Sequence, residues 1–192
     1  MLLRRILPIA VAATLASTAW AQVSSAIPPQ TVGTLSADRE LPTELQQVQQ
    51  LINSGRLPQA LARADAQIAR NPRDAQMRFV RGVILTEMKQ KDQAREVFRQ
   101  LTEDFPELPE PYNNLAVIYA SEGRLDNARA ALEQALLAAP NYATAYENLG
   151  DIYLQLAADA YERATKLSPA NRQAGTKLTL SRDLITKVRG VR

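Results

Sequence analysis

Side-chain catalysis draws mostly on histidine, cysteine, paired carboxylates and activated hydroxyls, and this 192-residue chain has neither histidine nor cysteine. The usual zinc and haem ligand sets are therefore missing, as are Ser-His and Cys-His nucleophile pairs. No disulfide can form. Carboxylate pairs such as Asp159 and Glu162 exist, but a three-residue step is ordinary on a helix surface, and nothing supplies a nucleophile, a metal or a phosphate-cradling loop. The sequence thus reads as non-enzymatic, with no cofactor and no metal. What remains is non-covalent chemistry. The side-chain amides of Asn114 and Asn148 can each donate to and accept from an extended peptide backbone, or can support helix packing.

Asn114 and Asn148 are separated by a 34-residue interval, and that interval recurs. It separates Pro72, Pro106 and Pro140 in turn, and likewise Gly82 and Ala116, Leu85 and Tyr119, Ala94 and Ala128, and Phe98 and Leu132. A fixed period of this length marks a repeat architecture. Within one period, Tyr112, Leu115, Ala116 and Tyr119 form one stripe of a first helix, Gly123-Arg124-Leu125 breaks the pattern, and Ala128, Leu132 and Ala135 form the stripe of a second. Pro140 stops it, since proline cannot extend the hydrogen-bond ladder. Each unit is a helical hairpin. Glycine inside a helix costs about 1 kcal/mol relative to alanine, so Gly82 and Gly150, at one place in their units, suggest close helix packing.

These residues resemble the tetratricopeptide repeat family over 41–169, which implies an all-α array of helical hairpins, a TPR-like α-solenoid, acting as a protein-binding scaffold. The units run over 41–72, 74–106, 109–140 and 143–169. The first is degenerate: Thr43 and Gln46 form a capping box, and Leu45, Val48, Leu51 and Ile52 its stripe. The fourth is short, because Pro169 comes five positions sooner after Pro140 than the period sets, and no Gly or Pro stands between Tyr153 and Tyr161. One continuous fused helix over 143–167 is expected; the rival is a tight turn near Ala157-Ala158-Asp159. A basic capping helix and tail over 170–192 close the chain, with helix over Asn171 to Lys187.

The resemblance also implies where binding occurs: first helices line a groove. That places Gln76, Phe79, Val83 and Glu87 there in the second unit, Asn113, Asn114 and Val117 in the third, and Glu147, Asn148 and Asp151 in the fourth. Phe79, Val83 and Val117 would be an apolar floor or part of the core. One subgroup of the family clamps a peptide's terminal carboxylate with basic groove residues. The corresponding residues here are Phe79, Val83, Asn114, Thr144 and Asn148, so that clamp is absent. With Glu87, Glu110, Glu147 and Asp151 nearby, the groove tends acidic, and a neutral or basic protein or peptide is the expected partner.

Arg4-Arg5, an apolar run from Ile6 to Ala16 and the small-x-small triplet Ala19-Trp20-Ala21 have the form of a secretory signal, so residues 1–21 are expected to direct export to the periplasm and to be cleaved after Ala21. Residues 22–40, with Pro28-Pro29 and no period, are expected to be a disordered leader. The signal holds two of the 23 basic residues and none of the 20 acidic ones, so a mature chain carries a net charge near +1. Nucleic acid is not an expected partner. From Lys166 to Arg192 there are seven basic residues and one acidic, Asp183. That end is either a solvated capping helix or a weak contact for an anionic membrane surface. An alternative to the adaptor is a structural subunit of a cell-envelope assembly, packing through its outer face or this helix. The sequence leaves the oligomeric state open.

Overall fold

The computed structural model describes residues 43–190, and every regular element among them is an α-helix. The expected export signal and leader lie outside these residues. In order the helices are α1 (Glu44–Asn53), α2 (Leu57–Arg70), α3 (Ala75–Glu87), α4 (Lys91–Asp104), α5 (Pro109–Ser121), α6 (Leu125–Ala138), α7 (Ala143–Leu167) and α8 (Arg172–Gly190). They form a TPR-like array of helical hairpins with terminal helices. The described chain divides into two compact units, 43–90 and 91–190.

In the first unit, α1 opens on the expected capping box. The Thr43 hydroxyl accepts from the Gln46 N–H at 3.2 Å, and Gln46 Oε1 accepts from the Thr43 N–H at 2.8 Å. These satisfy two of the donors that a helix start leaves orphaned. The Leu45–Val48–Leu51–Ile52 stripe then packs with Ala60 and Ala64 of α2 and with Met77 and Ile84 of α3. Val48, Ala60, Ala64 and Ile84 are fully buried. Alanines at the α1–α2 contact let the backbones approach, and the larger Val48 and Ile84 side chains supply about 1.5–3 kcal/mol each by leaving water. Asp74 caps α3 by accepting from the Met77 N–H at 2.9 Å.

The chain reverses by the same turn three times. Gly55, Lys89 and Gly123 are spaced by one period each and take left-handed backbones, with φ of 72°, 63° and 76°. Each time the next N–H reaches back over the last helical turn: Arg56 to the Leu51 carbonyl, Gln90 to Leu85 and Arg124 to Tyr119, all at 2.9 Å. This bond satisfies a carbonyl that the helix end would otherwise orphan. One period further on stands Ala157, inside α7. The turn does not recur there, and α7 runs unbroken for 25 residues, about 37 Å. The continuous-helix reading holds over the tight hairpin.

In the second unit, Phe98 and Leu101 of α4 are fully buried. Tyr112, Ala116 and Tyr119 of α5 pack with Ala128, Leu132 and Ala135 of α6, and Ala145, Leu149, Ile152 and Leu156 from the first half of α7 complete that core. The α8 helix starts where Asn171 Oδ1 accepts from the Ala174 N–H at 3.1 Å, and it returns along the second half of α7. Ala158, Ala174 and Ser181 are buried between the two helices, and Arg182 bonds Glu162 at 2.9 Å.

One expectation fails here. Gly82 is buried, but Gly150 is exposed, and a Cβ built on it meets nothing within 4 Å. In a full hairpin the second helix folds back over this position, as α6 does over Ala116. Because α7 continues straight, no helix among the described residues covers Gly150.

Candidate functional site

The first-helix residues of the third and fourth repeats converge between α5 and α7, both within the second unit. Three-and-four-residue spacing places Asn113 and Val117 on one face of α5, and Asn148 and Asp151 on the facing side of α7. Asn148 Nδ2 donates to Asn113 Oδ1 at 2.8 Å, a side-chain bond between sequence-distant residues that joins the two helices directly. Asn113 is only 5% exposed, so its amide needs an internal partner, and Asn148 provides one. The bond uses one donor of Asn148; its carbonyl oxygen and second N–H lie outside it.

Asn114 and Asn148, expected either to reach a peptide backbone or to support helix packing, each make a bond within the fold. The Asn114 amide turns back along its own helix and donates to the Glu110 carbonyl at 2.9 Å, whereas Asn148 selects the neighbouring Asn113. Asn113, expected among the groove-lining residues, is instead the buried half of the bridge. A single-sequence period marks equivalent positions but not rotamers, and a half-buried asparagine readily satisfies itself on the carbonyl one helical turn back.

Around the bridge, Val117, Asn114 and Asp151 are half-buried and Glu147 is exposed. The face is polar with an acidic side, Glu147 and Asp151, and a small apolar contribution from Val117. Tyr142, just ahead of α7, is half-buried, and its burial together with the Glu110 carboxylate pushes its phenol up to about 12. It is a neutral hydroxyl at any physiological pH. Sequence reasoning missed Tyr142; its place between Pro140 and α7 reads as turn chemistry, and its proximity to Glu110 is purely tertiary. Phe79 and Val83 lie on α3 in the first unit, both half-buried, as are Gln76 and Glu87.

The basic C-terminal helix is partly committed within the fold. From α8, Arg182 pairs at 2.9 Å with Glu162, which also takes Lys166 of its own helix at 2.8 Å, and the Lys177 ammonium lies over the Tyr161 ring, 5.7 Å from its centre. Among the described residues, no group of three or more acidic side chains is placed to hold a metal ion, and no helix is long and apolar enough to cross a membrane.

Two tetratricopeptide repeat models match the chain, over residues 45–109 and 109–142, together about half its length. The chain belongs to the tetratricopeptide repeat family, and its architecture is that of a protein- or peptide-binding scaffold. It is 36% identical over 93 residues to the chloroplastic tetratricopeptide repeat domain-containing protein PYG7 of Arabidopsis thaliana, a stretch covering 46% of this chain and 31% of that protein. The chain thus spans under a third of the length of this relative. Among solved structures it is similar to the first TPR of Spaghetti (RPAP3) bound to an HSP90 peptide. Identity there is 16% and the TM-score 0.55, over 59% of this chain and 90% of that one. It is also similar to the Yersinia enterocolitica type III secretion chaperone SycD in complex with a peptide of the translocator YopD. In that case identity is 19% and the TM-score 0.53, over 61% of this chain and 98% of that one.

Proposed function

We propose that this protein is a periplasmic adaptor that holds an extended, neutral or basic segment of a partner protein along the α5–α7 face. The observation that carries the reading is the Asn148–Asn113 bridge. It fixes the two first helices side by side and orients a half-buried amide whose remaining donor and acceptor match a peptide backbone. Glu147 and Asp151 give the same face its acidic character, which favours a basic segment and disfavours an acidic one. The RPAP3 and SycD structures, each holding a peptide on the same fold, support this mode of use. The carboxylate-clamp positions here are Asn114, Thr144 and Asn148 on this face, none of them basic, so an acidic terminal peptide is not the expected ligand.

A preformed helical surface loses little entropy on binding, and most of the ordering cost falls on the ligand. Micromolar affinity for a single short segment is consistent with that cost. The periplasmic part of the reading rests on the signal-like composition of residues 1–21.

The test immobilises the wild-type chain and its Glu147→Lys/Asp151→Lys variant and exposes both to a cell-envelope extract. Partners retained by the first and lost from the second support the reading; identical sets refute the face. Fractionation of expressing cells with N-terminal sequencing tests export. A chain starting at Gln22 in the periplasmic fraction supports it, and an uncleaved cytoplasmic chain refutes it.

A further inference from the structure

The fourth repeat has a first helix without a second helix folded over it. On α7 the residues Tyr146, Gly150, Tyr153, Ala157, Ala160 and Ala164 follow steps of four, three, four, three and four. They form one apolar stripe about 27 Å long with no charged member. Tyr146 is 55% exposed and Tyr153 48% exposed; Gly150 and Ala160 are exposed, and Ala157 and Ala164 half-buried. Leu180 and Leu184 of α8 are exposed too. They stand about one and two helical turns after Lys177, whose ammonium covers Tyr161, so they border the same face.

The preceding hairpin shows what such a stripe takes. There Tyr112, Ala116 and Tyr119 run antiparallel to Ala128, Leu132 and Ala135, and the aromatic–small–aromatic set is covered by the small-residue helix. In the fourth repeat both halves of that pattern are present, on one straight helix that cannot fold onto itself. The first half carries Tyr146–Gly150–Tyr153 and the second half Ala157–Ala160–Ala164, and their spacings mirror each other.

We infer that α7 pairs antiparallel with α7 of a second copy of this chain, each copy supplying the second helix that the other's fourth repeat lacks. The register follows from the spacing. Tyr153 lies over Ala157 of the second copy, Gly150 over its Ala160 and Tyr146 over its Ala164, and the same three contacts repeat about the two-fold axis, as an isologous interface requires. Every aromatic ring meets a methyl group, and Gly150, the one position without a side chain, leaves room for the second copy's Ala160 between the two rings. The inference does not depend on the α5–α7 face, which lies on another side of α7.

The test is the mass of the full chain by light scattering across a concentration series, with Tyr153→Glu and Ala160→Glu as separate variants and circular dichroism to verify that both fold. A reversible rise to twice the chain mass in the wild type, lost in both variants at unchanged helicity, supports the pairing. Because the chain has no cysteine, Ala157→Cys adds a unique thiol. A short bismaleimide then links two copies in high yield, and leaves an Ala130→Cys control on the exposed side of α6 unlinked. A wild type that keeps the single-chain mass at every concentration overturns the inference and leaves the stripe to a foreign helix. A dimer that survives both glutamate substitutions also overturns it. Glu147→Lys, the groove change, is expected to leave the mass unchanged.

Discussion

Gly55, Gly123 and Gly150 each have open space where a Cβ would go, and they differ in backbone alone. A Cβ on any of them meets no heavy atom within 4 Å, yet Gly55 and Gly123 have φ of 72° and 76° while Gly150 lies inside the α7 helix. The same substitution is therefore expected to act with opposite sign. Gly150→Ala keeps helical geometry and removes conformational freedom from the unfolded chain, which should stabilise by about 0.5–1 kcal/mol. Gly123→Ala puts a side chain into a left-handed backbone and should destabilise by about 1–2 kcal/mol. For a domain of this size 1 kcal/mol moves Tm by about 2–4 °C, so the two variants should separate by several degrees on either side of the wild type. Thermal and urea unfolding by circular dichroism, at concentrations low enough to keep copies apart, measures the difference. Repeat arrays need not unfold in one step, so amide exchange within α7 serves as the local readout. A destabilised Gly150→Ala variant would refute the reasoning. It would mean that a helix packs on Gly150 in solution and that α7 bends into a hairpin after all.

Asn148→Ala removes the side chain that satisfies the buried Asn113 amide and should cost about 1–3 kcal/mol in urea unfolding; a change under a few tenths would mean the bridge is not made in solution. Lys89→Gly relieves a left-handed non-glycine turn and should stabilise by about 1 kcal/mol, the reverse of Gly123→Ala in calorimetry. Ultraviolet titration should show one tyrosine, absent in Tyr142→Phe, ionising near pH 12. Since the folded value is raised above the unfolded one near 10, the neutral phenol's contribution is complete below about pH 10 and is lost as pH rises through 12. A titration with no such late component would refute the burial.

Much of the fold was legible because a repeat states each rule several times. Prolines at 72, 106 and 140 end second helices, and Ala128, Leu132 and Ala135 show the packing stripe. Even the unbroken α7 helix followed from the missing turn signal. The candidate site was legible only in outline. Period placed Asn113, Asn114 and Asn148 on first helices, but which amide bonds which depends on rotamer and burial, and these depend on neighbouring helices. Gly150 shows the same limit. Its repeat position implied a covered glycine, and it lies bare because the unit, shortened elsewhere, has lost the turn that would bring a cover back over it.

Taken alone, then, the sequence determined the helical period, the turn positions, the absence of thiol and imidazole chemistry, and the family, since each follows from residue type and spacing along the chain. Tertiary structure alone decided that Asn148 selects Asn113 over Asn114, that Tyr142 meets Glu110, that three of the C-terminal basic residues are spent within the fold, and that one face of α7 stands open. These are contacts between residues distant in sequence, and the free energy that selects them comes from burial and hydrogen-bond satisfaction, which exist only once the helices have packed.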